Sequence, residues 1–223
     1  LDGYGGHFHP LNYALGLAEA ARRAGVTLHE DSRALSIDTN SGVHVQTAGG
    51  AVRAKYGVLA CDAMLEGLEP RIAGRIMPVA NYLIATAPLQ NPSALIADNL
   101  AVSDTRFVVN YFRMSADGRL IFGGGERYTP HPPADITSFV RPFMLKVFPQ
   151  LADVAIDYAW GGLVSISMSR LPHIGRFGNL FFAHGYSGQG TILPAIVGTA
   201  IAEAIEGDAQ LFEVLSGLAP PEF

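Results

Sequence analysis

Hydrophobic positions along this chain recur with two different periods, and the changes of period mark its elements. Apolar or small side chains at 14, 15, 17, 18, 21 and 24, with Arg22 and Arg23 late and Gly25 after them, predict a helix over 12–24 with a glycine stop. Residues 26–30, 34–38, 44–47 and 51–54 read as short strands, punctuated by Asn40-Ser41-Gly42 and Gly49-Gly50 turns. The all-apolar stretch 56–61 reads as a strand buried on both faces. Up to residue 62 the pattern is that of part of an α/β nucleotide domain.

Beyond Pro70 the pattern turns β-rich. Strands are predicted over 79–87, 101–102, 107–114 and 120–124, with Ala116-Asp117-Gly118 as the hairpin turn between the last two. Prolines at 130, 132 and 133 interrupt the chain, a helix is predicted over 136–148, and a strand follows at 156–161. These segments describe an antiparallel sheet with one helix across it. The strand 180–183 and the long apolar helix 192–205 then restore the earlier style, so the middle layer reads as an insertion. The expected class is α/β, α+β overall, divided at 1–75, 76–162 and 163–223.

Composition narrows the function classes. Apolar residues make up 49% of the chain and charged residues 16%, which describes a buried interior rather than a disordered segment. A net charge of -5 disfavours a nucleic-acid surface. The single Cys61 excludes an intrachain disulfide and suits a reducing cytoplasm; it reads as a small apolar residue. Of the histidines only His7 and His9 are close, and an H-x-H pair needs further ligands that the sequence does not supply, so no metal is expected. No apolar run reaches the ~18 to 20 residues that span a bilayer. Leu1-Asp2-Gly3-Tyr4 has no signal-peptide character, and without an initiator methionine the chain is read as a piece of a longer protein.

The chemistry concentrates between strand 180–183 and helix 192–205. Gly185, Tyr186, Ser187, Gly188, Gln189, Gly190 and Thr191 join them through spaced glycines, which admit positive φ and close approach of a ligand. A helix N-terminus placed there favours an anion or an electron-rich carbonyl. The order G-x-x-G-x-G is the reverse of the dinucleotide fingerprint, so a pyrophosphate is not the expected guest. A glycine-softened turn with no ligand satisfies the same pattern.

Several motifs occur in order: Gly5-Gly6-His7-Phe8-His9-Pro10-Leu11, Asn110-Tyr111-Phe112-Arg113, Asp117-Gly118-Arg119-Leu120-Ile121-Phe122-Gly123-Gly124-Gly125, Trp160-Gly161-Gly162, Arg170-Leu171-Pro172-His173-Ile174-Gly175-Arg176 and Gly185-Tyr186-Ser187-Gly188-Gln189-Gly190. Together they resemble the C-terminal portion of FAD-dependent amine and amino-acid oxidoreductases of the D-amino-acid oxidase (DAO) family, closest to gamma-glutamylputrescine oxidase-like members. The resemblance implies a split FAD-binding domain carrying an inserted antiparallel substrate domain. It implies non-covalent FAD, since no cysteine stands where tethering members place one, with affinity weakened where the N-terminal G-x-G-x-x-G segment is lacking.

The implied reaction is oxidation of an amine C–N bond to an imine, with electrons passed to O2 or another acceptor. Gly185 to Thr191 are the implied flavin-ring contacts, where amides stabilise charge on the reduced ring. Tyr111, Arg113 and His9 are the candidate catalytic residues, although the strand alternation is equally met if Tyr111 packs and Arg113 pairs at the surface. His7 and His9 equally read as capping or packing residues, and Trp160 as a core anchor. Amino-acid oxidases of the family hold the substrate carboxylate with a G-L-R-P arginine. Here the stretch is Gly162-Leu163-Val164-Ser165, which shifts the expected substrate from an α-amino acid to an amine, including one with a remote carboxylate held by Arg113 or Arg170. The rivals are a glycine, sarcosine or D-amino-acid oxidase of the same family and a non-catalytic binding or structural fragment. The expected partners are a small-molecule amine and a second copy through exposed apolar surface, with no nucleic acid and no membrane span.

Overall fold

A computed structural model describes residues 5–129 and 131–218. The chain forms two compact units, residues 1–9 with 79–163 and residues 10–78 with 164–223.

The first unit is built on a five-stranded sheet of order β6-β7-β8-β5-β9: β5 (Met77–Thr86), β6 (Val102–Ser103), β7 (Tyr111–Met114), β8 (Leu120–Arg127) and β9 (Ile156–Ile166). Side chains alternate across it. Tyr82, Ile84, Met114, Leu120 and Phe122 point to one face, where helix α3 (Ile136–Val147) covers them with Val140 and Met144. Phe112 stacks on Phe122 with ring centroids 5.7 Å apart and meets Phe148 edge-on at 4.9 Å. The opposite face carries Asn81, Tyr111, Arg113 and Gly123. The Ser115 to Arg119 hairpin closes as the Asp-Gly pair predicts, with Gly118 at φ +77.

The second unit carries an antiparallel meander of β1 (Ala34–Asp38), β2 (Val43–Thr47) and β3 (Ala51–Ala54). It also carries a sheet of order β10-β11-β4 from β4 (Gly57–Leu59), β10 (His173–Phe177) and β11 (Leu180–His184), in which β11 runs parallel to β4. Strand β11 is central and buried throughout, because both its faces are covered. Phe181 and Ala183 face Val197, Ala200 and Ile201 of helix α4 (Leu193–Glu206) and Phe212 of helix α5 (Gln210–Ser216). Leu180 and Phe182 face Val43, Leu59, Leu65 and Ile72, the last in the short helix α2 (Pro70–Ala73).

Several expected elements differ. Residues 26–30 make no strand; Val26 and Leu28 are exposed and have no ladder to join. The strand predicted over 107–114 shrinks to Tyr111–Met114, because Asp104 ties the preceding residues into a loop. The stretch 56–61 yields only Gly57–Leu59 at a sheet edge, with Val58 exposed rather than buried on both faces. Helix α1 (Pro10–Arg23) forms, yet no residue of it is buried. Trp160 is 41% exposed on β9, which removes the core-anchor reading.

Candidate functional site

The glycine turn belongs to the second unit. Its first residue, Gly185 at φ +76, turns the chain out of β11, and its amide donates to Asp62 Oδ1 at 2.9 Å. Ser187 (φ 52) and Gly188 (φ +98) continue in the left-handed region. The Ser187 N–H donates to Ser165 O at 2.9 Å and the Gln189 N–H to Tyr186 O at 3.0 Å. Of the amides expected to face a ligand, those of Gly188, Gly190 and Thr191 have no acceptor among the described residues, and all three residues are exposed. Helix α4 starts at Leu193 with Ile192 as an N-cap that makes no side-chain bond; the amides of Ile192 and Leu193 donate to the Gln189 carbonyl and that of Ala195 to the Ile192 carbonyl, so the unpaired amides lie in the turn ahead of the helix. Gln189 differs from the expectation, since its amide is already spent on Tyr186.

Tyr186 is placed in the core under α4, not at the surface of the turn. Burial, with the Asp62 carboxylate nearby, pushes its phenol up to about 12.

The other candidates lie in the first unit. Tyr111 and Arg113 share the sheet face opposite α3, as their spacing of two requires. Tyr111 is half-buried, donates its hydroxyl to Asn81 Oδ1, and has its phenol pushed up to about 12 by burial. Its ring lies across Gly123, the residue paired with it on β8, where a methyl group would overlap it. Arg113 is half-buried, burial holds its guanidinium below the usual value, and its recorded partner is the neighbouring Met114 carbonyl at 3.2 Å. It has no carboxylate partner among the described residues, so the surface-pair reading of Arg113 is not what the fold uses. His9 is exposed, immediately before α1. Its neighbour His7 bonds the Asn99 carbonyl at 2.8 Å.

Three features escaped the sequence reading. Asn81, the partner of Tyr111, is an amide standing in the otherwise apolar run Val79-Ala80-Asn81-Tyr82-Leu83-Ile84, and that interruption was the available signal. His173 and His184 form a buried pair, visible only once β10 and β11 are set in register. A cleft of about 450 Å³ in the second unit is lined by Arg33, Ala34, Leu35, Cys61, Met64 and Leu68, among others. Cys61, whose thiol burial pushes up, directly precedes Asp62, the residue that ties down Gly185. No group of three or more potential metal ligands occurs among the described residues. No helix among them is long and apolar enough to cross a membrane.

Residues 1–204 match the family profile described as FAD dependent oxidoreductase, DAO. The chain belongs to this family. Among DAO relatives, Gamma-glutamylputrescine oxidoreductase of Escherichia coli (strain K12) is 40% identical over 222 residues, 98% of this chain and 52% of that protein. The "Probable oxidoreductase OrdL" of Haemophilus influenzae is 39% identical over 99% of this chain and 52% of its own length. The chain thus spans about half the length of the curated relatives it matches. Among solved DAO-like structures, L-proline dehydrogenase from P. horikoshii superposes with a TM-score of 0.75 at 24% identity, covering 91% of this chain and 57% of that one. Glycine oxidase from Geobacillus kaustophilus gives 0.73 at 22% identity, covering 86% and 53%. At these identities the structural likeness shows the shared fold, with its mixture of helices and antiparallel sheets.

Proposed function

We propose that this chain is the C-terminal portion of a flavin-dependent amine oxidoreductase. The observation that carries the reading is the trio of exposed amides at Gly188, Gly190 and Thr191, without an acceptor among the described residues, held at the end of a fully buried strand and just ahead of helix α4, whose N-cap makes no side-chain bond. Such a turn fits the electron-rich carbonyl edge of an isoalloxazine. When bound, FAD supplies two-electron acceptance from a C–N bond. The protein's part is then to hold and orient. The amides of Gly188, Gly190 and Thr191 would hold the ring edge, and would favour the reduced, more negative ring over the oxidised one by roughly 0.3–2 kcal/mol, as helix ends favour anions generally.

The cleft is lined by Cys61, which precedes in the chain the residue that anchors Gly185, and its volume of about 450 Å³ suits one end of the same cofactor. Binding is non-covalent in this reading.

For the substrate, the sheet face of the first unit offers Tyr111 to an amine and Arg113 to a carboxylate. The half-buried guanidinium, without a carboxylate partner among the described residues, is a charge awaiting its counter-ion. An amine with a remote carboxylate therefore fits better than an α-amino acid, and the name of the Escherichia coli relative points to the same class. His9, exposed before α1, stays a candidate for the same site. The cytoplasm is the proposed compartment, where a lone cysteine stays reduced. The uncovered apolar side chains of α1, Leu11, Leu15 and Leu17, are proposed to associate with a second copy.

Anaerobic reduction of the full-length flavoprotein tests the reading. Bleaching by a γ-glutamyl-substituted diamine, and not by glycine or D-alanine, is the expected result. Bleaching by glycine or D-alanine alone would transfer the chain to the amino-acid oxidases. Full-length protein that takes up no FAD would leave a non-catalytic binding module.

A further inference from the structure

We propose that Asn81 is a positioning residue that fixes the hydrogen-bond polarity of Tyr111, so that the tyrosine can only accept a bond from whatever meets it. This rests on the substrate-face reading above and deepens it. Asn81 sits on β5 beside β8, and Tyr111 lies on the other side of β8. The strand between them carries Gly123 at the crossing point, and the Tyr111 ring occupies the space a side chain there would fill. The phenol therefore reaches Asn81 over the top of β8.

The two ends of the Asn81 amide have different partners. Its Nδ2 is directed to the Gly125 carbonyl at 3.5 Å, which can only accept. Its Oδ1 therefore faces the Tyr111 hydroxyl, and an amide oxygen can only accept. The tyrosine proton is committed to Asn81, and what the Tyr111 oxygen has left is lone-pair capacity. A carboxylate, which also only accepts, finds no bond there. An amine N–H does. Two residues along the same strand and face, Arg113 has only donors and no carboxylate partner among the described residues. The sheet face thus sorts the two ends of an amino-carboxylate ligand, with nitrogen at Tyr111 and carboxylate at Arg113.

The test uses the full-length flavoprotein with Asn81→Leu, Asn81→Asp, Tyr111→Phe and the Asn81→Leu/Tyr111→Phe double variant. Asn81→Leu frees the phenol proton. It is expected to raise KM for the amine about ten-fold, with a smaller change in kcat, and to make acetate a better inhibitor. Asn81→Asp keeps an acceptor opposite the phenol and is expected to stay near wild type. In the Tyr111→Phe background, Asn81→Leu should add nothing to KM. An equal rise in KM with and without the Tyr111 hydroxyl, or no rise at all, would overturn the proposal. If no amine reduces the wild-type flavin, the functional reading fails, but the polarity of Tyr111 is still measurable. The ultraviolet Raman tyrosine doublet, taken as wild type minus Tyr111→Phe, should report a strong donor and lose that character in Asn81→Leu. An unchanged doublet refutes the inference whatever the reaction proves to be.

Discussion

His173 and His184 face each other across the β10–β11 ladder with Nδ1 of the first 2.8 Å from Nε2 of the second, and both rings are buried. One ring must donate and the other accept, so the arrangement needs at least one neutral imidazole and is best served by two. Burial is the main cause that lowers both from 6.5 to about 4, with His184 and Arg75 adding repulsion at His173. The His184 Nδ1 has no partner among the described residues, so a proton added there gains no hydrogen bond from them.

Acid should therefore weaken the second unit. The unfolded chain titrates these histidines near 6.5 and the folded chain near 4, so between those values the unfolded state binds more protons. Their contribution is complete above about pH 6.5 and is lost as pH falls through that window. Thermal unfolding of the full-length protein between pH 8 and pH 4.5 should show Tm falling below pH 6.5. His184→Phe should flatten that slope; an unchanged slope would mean that other groups set it.

Replacing Gly123 by alanine should harm the sheet face more than the fold. The new methyl meets the Tyr111 ring, which must swing away and lose Asn81. Overpacking of this kind costs about 1–3 kcal/mol, less where the ring can move outward. The expected outcome is a modest drop in Tm, retained flavin and a large loss of amine turnover. Turnover equal to wild type would remove Tyr111 from the site.

Where local chemistry dictated the conformation, the sequence was readable. Asp117-Gly118 demanded a hairpin, Gly25 stops the first helix, and the alternation that sets Phe112 against Tyr111 follows from the strand itself. Strand β10 was missed because His173 and Arg176 interrupt its apolar run, and only the partner strand explains a buried histidine there. Asn81 carried a signal, but its meaning required knowing that the Tyr111 hydroxyl, 30 positions away along the chain, reaches it across Gly123. The strand expected at 26–30 failed for the opposite reason, since its pattern is sound and no ladder receives it.

The loop before β7 depends on a single carboxylate. Asp104 Oδ1 accepts from the amides of Arg106 at 3.2 Å and Asn110 at 3.0 Å, and Oδ2 accepts from Asn110 Nδ2 at 2.8 Å. Asn110 is 1% exposed, so losing that partner strands a buried amide group. Asp104→Ala should cost about 1–3 kcal/mol. Because Asn110 directly precedes Tyr111, the same change should also raise amine KM. Asp104→Asn, which keeps one acceptor, should fall between the two in urea unfolding.

Two glycines of the turn should respond differently to the same substitution. Gly188 sits at φ +98 with open space around it, so alanine there meets only backbone strain, about 1–2 kcal/mol, and asparagine, which tolerates the left-handed region better, meets less. Gly185 sits at φ +76 and a methyl group there would lie 3.1 Å from Ile76 Cγ2 and 3.4 Å from Ser167 Cβ, so strain and crowding combine. Gly185→Ala should lower Tm more than Gly188→Ala. Flavin occupancy should follow the other order relative to stability. Gly188→Ala moves one of the three unpaired amides and places its methyl group at the exposed surface of the turn, so FAD should be lost with little unfolding. Gly188→Ala protein that keeps full FAD occupancy at wild-type affinity would show that the flavin is held elsewhere.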